Sequence, residues 1–389
     1  MQTTDFIWFD GKMVPWADAQ VHVLTHALHY GSAVFEGIRA YACADGTSAV
    51  FRLKEHSQRL LNSAKILRLN IPYTVDEISQ GILDTLKANK MKEGYIRPLS
   101  FVGDGEMGVY PGNNKVHTII AVWPWGAYLG PEALEMGIRA KTSSFARMHV
   151  NTLMSKAKAA GNYVNSILAK IEAKEDGYDE AVMLDTNGFV SEATGENIFI
   201  VRDGIIKTTP WTSILGGITR DSVMKVARDL GYTVEEQQFT RDELYIADEA
   251  FFTGTAAEIT PIREVDNRTI GADDPEVGEA VAKVYASFCQ GEISVTFRQM
   301  MLSDDTVSFM VAVKDPGTGM DPKFINSIFR PFQQEDASIA KRFGGSGLGM
   351  AITDQLVRLM GGEIVVDSMP GRGSTFTVYL HLPMGDSPA

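Results

Sequence analysis

Apolar residues recur at helical spacing three times before about residue 290. Leu60, Ala64 and Leu67 share one face, as do Val164, Ile167, Leu168 and Ile171, and Val223, Val226, Ala227 and Leu230 repeat the spacing. Gly231 then stands where a helix commonly stops. Between the last two stripes the texture is that of strands. Residues 181 to 184 form a short apolar run, Asn187-Gly188 is a type I′ hairpin signal, and Phe189-Val190 begins a return strand. The run from Asn197 to Val201, followed by Asp203-Gly204 and Ile205-Ile206, repeats the device. Helices flanking antiparallel hairpins predict an α+β domain rather than a doubly wound parallel sheet.

The texture changes again near residue 290. EVGEAVAKVYASFCQ reads as a helix, and ISVTF and VSFMVAV after it read as strands. Two glycine clusters follow, Gly317/Gly319 and GGSGLG at 344 to 349, then a hairpin from Ile364-Val365-Val366 through Pro370-Gly371 to residues 375 to 380. No Gly/Ser-rich spacer separates the two parts.

A chain of 389 residues predicts two or three domains, and 44% hydrophobic with 22% charged residues is a globular composition. The net charge of -13 argues against nucleic acid or an anionic membrane as the main partner. Cys43 and Cys289 stand in no disulfide or metal-ligand spacing, so no metal site is expected. With no signal pattern and no spanning apolar run, a cytoplasmic protein is the expectation.

The first chemistry lies in KAKAAGNYVNS. A lysine amine can condense with an aldehyde cofactor where its surroundings let it deprotonate. On residue type alone Lys156 and Lys158 are equal candidates, and either can equally be a solvated surface lysine. Tyr95 and Arg97, two apart on an expected strand, point to one face and suit carboxylate recognition.

Eight segments in order resemble the branched-chain aminotransferases of the fold-type IV pyridoxal-phosphate class: HALHYGSAVFEGIRAY at 26 to 41, RLKEHSQRLLNSAKIL at 52 to 67, YIRPLSFVGDGEMGV at 95 to 109, AVWPWGAYLG at 121 to 130, KAAGNY at 158 to 163, VSEATGENIF at 190 to 199, GGITRDSVMKVARDLG at 216 to 231 and ADEAFFTGTAAEITPI at 247 to 262. The resemblance implies a two-domain enzyme, with a small domain over 1–126, an interdomain loop over 127–137 and a large domain over 138–291. It implies pyridoxal 5′-phosphate as cofactor and Lys158 as the lysine that carries it. Arg59 is implied as a bidentate clamp on the phosphate, with backbone N–H groups of Ile218 and Thr219 at a helix start and Thr255 on the same anion. Glu192 is implied at the pyridine nitrogen, with Glu196 as the competing carboxylate, and Tyr163 at the phenolic oxygen. For the substrates it implies Tyr30, Phe35, Tyr95, Arg97, Met107, Val109, Trp125, Tyr128, Ala256 and Ala257. A homodimer or larger homo-oligomer, with small amino and 2-oxo acids as partners, completes the expectation. The implied reaction is transamination of leucine, isoleucine or valine with 2-oxoglutarate. D-Amino-acid aminotransferases and aminodeoxychorismate lyases share the lysine, glutamate and phosphate site, but YIRPL with GDGEMGV matches the branched-chain group.

Residues 292–389 resemble part of the α/β-sandwich of a histidine-kinase ATPase. VKDPGTGM at 313 to 320, IFRPFQQ at 328 to 334, RFGGSGLGMAI at 342 to 352 and PGRGSTFTVYL at 370 to 380 follow that family's order. The resemblance implies a vestigial nucleotide site at Asp315, Gly317, Gly319, Gly345, Gly347 and Gly349. The family's magnesium-binding asparagine helix is absent, because EVGEAVAKVYASFCQ occupies its place. The aminotransferase pattern also departs from its family at GADDPEVGE, which points to a fusion or frame junction near residue 292. A non-catalytic appended module, a regulator that binds ATP or ADP, and a chimera with a poorly folded tail are the alternatives for this segment.

Overall fold

The computed structural model describes residues 3–43, 47–126, 133, 136–271, 279–289, 294–302, 306–315, 320–325, 327–330, 349–369 and 373–383. The chain divides into two compact units, Met1–Val284 and Tyr285–Ala389.

The first unit holds two sheets. One comprises β1 (Phe6–Phe9), β2 (Lys12–Pro15), β3 (Ala33–Phe35), β4 (Ile38–Ala42), β5 (Ser48–Val50), β6 (Gly94–Val102) and β7 (Val116–Trp123). Its order is β2-β1-β7-β6-β4-β5, with β3 paired to β6, and every pairing is antiparallel. Short helix α1 (His26–Tyr30) precedes β3, while α2 (Leu53–Leu67) and α3 (Val75–Ala88) pack on the sheet. The stripe read from sequence is the reason for α2: Leu60 and Ala64 are buried against Ile38, Ile96 and Ile120. α3 starts on a capping box in which Thr74 and Glu77 satisfy each other's backbone N–H.

The second sheet comprises β8 (Ile138–Thr142), β9 (Glu180–Leu184), β10 (Val190–Ala193), β11 (Asn197–Arg202), β12 (Ile205–Thr208), β13 (Thr233–Glu236), β14 (Glu249–Gly254), β15 (Glu258–Val265) and β16 (Arg268–Thr269). Its order is β10-β9-β8-β15-β14-β11-β12-β13, with β16 on β15. The hairpins are antiparallel, whereas β8 pairs in parallel with β9 and β15, and β12 with β13. Helices α4 (Tyr163–Glu175), α5 (Ile218–Asp229) and α6 (Arg241–Tyr245) complete it, and Gly231, at φ 87°, follows α5 as expected. The β11–β12 turn is the type I′ turn that Asp203-Gly204 predicted, with φ of 51° and 74° and Arg202 opposite Ile205. The turn at Asn187-Gly188 is not. Only Gly188 has positive φ, and the Asp185 carboxylate accepts from the N–H of Asn187 and Phe189, so an aspartate-capped five-residue loop replaces the two-residue turn.

α7 (Glu279–Cys289) begins with the Ala280 and Val281 N–H groups donating to Glu249. In the second unit β17 (Ser294–Leu302), β18 (Thr306–Asp315), β19 (Glu363–Met369) and β20 (Gly373–Pro383) form an antiparallel sheet of order β17-β18-β20-β19. Helices α8 (Pro322–Ile325) and α9 (Gly349–Leu359) accompany it, with Ala351 and Val357 of α9 buried.

Candidate functional site

A cavity of about 280 Å³ in the first unit collects residues from both sheets and from the connections between them. Lys158 reaches it from an extended segment stitched to β3 of the first sheet. Its N–H donates to Ser63 Oγ at 3.0 Å, and its carbonyl accepts from the Phe35 N–H at 3.0 Å. Beside it Gly31, at φ 65°, packs so closely on Gly161 that a Cβ would lie 2.9 Å from the Gly161 Cα. The Lys158 amine donates to Tyr163 Oη at 2.7 Å and lies 5.1 Å from the Phe35 ring centroid. Lys156 points elsewhere, to the Ile214 carbonyl at 2.8 Å and over the Trp211 ring, and it does not line the cavity. Burial holds its amine below the usual lysine range. Position separates the two lysines that residue type leaves equal.

Glu192 lines the cavity from β10 and is 4% exposed. Arg147 donates to its Oε1 at 2.6 Å, and Asn197 and the Leu215 N–H donate to its Oε2 at 3.2 Å each. Glu196 stands in the short turn between β10 and β11. It is 6% exposed and lines the same cavity, with the Gly195 N–H at 3.0 Å. Burial first, then the charge of Glu180, push its carboxyl up to about 8, against the pull of Lys170, Gly195 and Lys158.

Arg59 is placed on the cavity wall from α2, but its fork is already engaged. Nε and Nη2 donate to the two oxygens of Glu36 at 2.7 and 2.8 Å, and Nη1 donates to the Gly216 carbonyl at 2.7 Å. One hydrogen on each terminal nitrogen is left over from these contacts. α5 starts at Ile218, with Gly217 as N-cap at φ -67° and ψ 129° and no side-chain cap. Ile218, Thr219 and, on the β14–β15 hairpin, Thr255 and Ala256 all line the cavity.

Phe35, Tyr95, Arg97 and Trp125 form an aromatic and cationic wall. Arg97 Nη2 donates to Tyr95 Oη at 3.3 Å, and the guanidinium lies 4.7 and 5.3 Å from the Phe35 and Tyr95 ring centroids. Among the described residues Arg97 makes no ion pair, and its buried Nε has no hydrogen-bond partner. Tyr30, Met107 and Val109 lie outside this cavity: Tyr30 and Val109 are 48% and 87% exposed, and Tyr30 Oη donates to the Met107 carbonyl at 2.9 Å. Ala257, the third residue of the β14–β15 loop, is buried and does not line the cavity, and Tyr128 lies outside the described residues.

Residues 33–265 match the amino-transferase class IV family. The chain belongs to that family. A branched-chain-amino-acid aminotransferase of Pseudomonas aeruginosa is 52% identical over 287 residues, 74% of this chain and 93% of that one. The crystal structure of the Escherichia coli branched-chain amino acid aminotransferase superposes with a TM-score of 0.72 at 49% identity, covering 74% of this chain and 94% of that one. The PLP-form of the Thermobaculum terrenum enzyme does so with a TM-score of 0.69 at 37% identity, covering 74% and 94%. Residues 277–384 of this class IV aminotransferase match the histidine kinase-, DNA gyrase B-, and HSP90-like ATPase family, beginning within the helix that sequence assigned to the aminotransferase. Of its expected nucleotide residues, Asp315 closes β18 and Gly349 opens α9, while Gly317, Gly319, Gly345 and Gly347 lie outside the described residues.

Sequence reasoning passed over Arg147 and Glu36. Each supports a site residue from far along the chain, Arg147 through Glu192 45 residues on and Glu36 through Arg59 23 residues on. Neither stands in a local pattern that marks such a role.

Proposed function

We propose that this chain transfers the amino group of leucine, isoleucine or valine to 2-oxoglutarate, releasing a branched 2-oxo acid and glutamate, with pyridoxal 5′-phosphate as cofactor. The observation that carries the proposal is one cavity holding the Lys158 amine beside Tyr163, with an Arg97 guanidinium that, among the described residues, pairs with no carboxylate and lies among aromatic rings.

The donor set fits that cofactor. At the start of α5 the Gly217 N-cap lends no side chain to the first-turn N–H groups, leaving Ile218 and Thr219 to receive a phosphate. A Cβ at Gly217 would lie 2.0 Å from Asn197 Oδ1, so only glycine leaves the chain this close to the cradle. Arg59 and Thr255 would add to the phosphate site, Glu192 would meet the pyridine nitrogen, and Tyr163 the phenolic oxygen. When bound, the cofactor supplies the aldehyde that exchanges the amino group and the ring that delocalises the charge left at the substrate Cα.

Lys158 takes the proton from the substrate Cα, and its contact with Tyr163 aims the amine. Tyr95 and Arg97 orient carboxylates, Arg97 meeting the distal one of glutamate and 2-oxoglutarate. Phe35 and Trp125 cover an aliphatic side chain and exclude water. One cavity serves both acids in turn, which gives ping-pong kinetics.

A homodimer or larger oligomer and a cytoplasmic setting belong to the same proposal. Val109 and Tyr110 are 87% and 78% exposed, and a second chain would cover the expected substrate residues Tyr30 and Val109. Absorbance spectra test the reaction. Protein supplied with pyridoxal 5′-phosphate should show a lysine-bound chromophore that shifts with leucine, returns with 2-oxoglutarate, and is missing in Lys158→Ala. No such chromophore in the wild type would overturn the proposal.

A further inference from the structure

The hairpin tip beside the cavity is closed by a residue in an unusual backbone state. β14 and β15 pair Gly254 with Glu258 across the loop Thr255-Ala256-Ala257. Just past that loop, as the first residue of β15, stands Glu258 at φ 55°, in the left-handed region that suits glycine or asparagine. A side chain with a Cβ stays in that region only where its surroundings fix it there.

Those surroundings come from the other sheet. Glu258 Oε1 accepts from Arg39 Nη1 at 2.8 Å and from Tyr41 Oη at 3.1 Å. The Arg39 and Glu258 side chains are 16% and 18% exposed, and the guanidinium lies 5.3 Å from the Tyr41 ring centroid. The pair is thus better shielded than a surface ion pair. Arg39 and Tyr41 both sit on β4, and β4 also fixes the facing wall of the cavity. Arg39 is the register partner of Tyr95, and at Gly37 a Cβ would lie 2.0 Å from Tyr95 Oη. β4 and the glycine just before it therefore set where the Tyr95 hydroxyl stands and hold the hairpin tip that carries Thr255 and Ala256.

We infer that the Arg39–Glu258–Tyr41 tie positions the Thr255–Ala257 turn against Tyr95, so that the carboxylate of either substrate is gripped between them. The three are positioning residues, and the inference rests on the transaminase reading of the cavity. Removing the tie loosens binding of both acids alike, in ground and transition state, and so acts on KM rather than kcat.

The test is steady-state kinetics of the full chain loaded with pyridoxal 5′-phosphate, comparing wild type with Glu258→Gln, Tyr41→Phe, Arg39→Lys and Arg39→Gln/Glu258→Gln. Glu258→Gln should raise KM for leucine and for 2-oxoglutarate about tenfold, the scale of one charge-assisted hydrogen bond, with kcat within about threefold. Tyr41→Phe should raise KM less, Arg39→Lys should keep most of the function, and the double variant should be no worse than Glu258→Gln, because its tie is already broken. The lysine-bound absorbance band should be unchanged in all of them. A lowered Tm with KM unmoved would reduce the tie to a structural contact and overturn the inference. If Glu258→Gln does not fold, Tyr41→Phe decides, since it removes one hydroxyl, and an unmoved KM there is equally fatal. A wild type without the chromophore or without leucine turnover sinks the transaminase reading itself, an outcome visible before any variant is compared.

Discussion

Arg147 meets Glu192 at 2.6 Å where the two side chains are only 10% and 5% exposed. A buried pair of this kind is costly to break from one side, because the remaining charge has no other partner of equal strength. Arg147→Met should therefore lower stability by about 3–5 kcal/mol and also lower kcat, as Glu192 loses the group that orients it. Glu192→Gln keeps the shape and should lower kcat by roughly 100-fold. Thermal denaturation and steady-state rates of the two single variants and the double variant check this. If the double variant is as unstable as the sum of the singles, the two residues are not coupled.

Tyr163 Oη accepts a hydrogen bond from the Lys158 amine at 2.7 Å. Tyr163→Phe removes one hydrogen bond, a loss of about 0.5–1.5 kcal/mol, which should lower kcat up to roughly tenfold. The pH titration of the lysine-bound absorbance band should move with it. Unchanged rate and titration would leave the contact without a role.

Local signals in the sequence served well where the fold obeys local rules. Asp203-Gly204 specifies its turn because both φ values can be positive in a two-residue loop, and Gly231 ends its helix. Asn187-Gly188 carries the same dipeptide logic, yet Asp185 captures the local N–H groups and widens the loop. Lys158 could be separated from Lys156 only by family resemblance, since their difference lies in what surrounds each one. Arg147 and Glu36 were invisible because a buried partner far along the chain leaves no periodicity. The stripe Val164, Ile167, Leu168 and Ile171 shows a further limit: α4 turns Ser166, Ala169 and Ala173 inward and leaves the four apolar residues 43–59% exposed.

That exposed stripe gives a prediction about assembly. An apolar helix face of this kind is unfavourable in water and is stabilised by burial against a second chain. Ile167→Asp should shift the protein toward monomer in sedimentation or light scattering, with its helix content intact. An unaltered mass would remove α4 from the interface.

Glu36 ties the Arg59 site to acid stability. It is fully buried and receives Arg59 twice and His56 Nδ1 at 2.7 Å. Burial alone would raise its carboxyl, but the Arg59 charge and hydrogen bonds, with His56, more than offset that and hold it well below the usual carboxylate range. A folded pKa below the unfolded one gives stability that is present above the unfolded value of about 4.3 and lost as pH falls toward the folded value. Glu36→Gln should thus be less stable than wild type at pH 7, and the gap should narrow steadily below about pH 4.3. Parallel Tm curves from pH 7 to pH 3 would contradict it.

Glu196 has the opposite sign. Its carboxyl is pushed up to about 8, by burial and then by Glu180, whose own oxygens are taken by Lys170, Thr194 and the Ala181 N–H. The folded state therefore holds a proton that the unfolded chain releases near pH 4.3, and stability falls as pH rises from about 4.3 to about 8, beyond which it is flat. Glu196→Gln, a neutral residue of the same shape, should match wild type near pH 5 and become progressively more stable than it toward pH 8. The same ionisation faces Lys158 across the cavity, so the wild-type pH–rate profile should carry a step near pH 8 that the glutamine variant lacks. A Tm difference that does not grow between pH 5 and pH 8 would mean that Glu196 is ionised in the folded protein, and the step in rate would then need another owner.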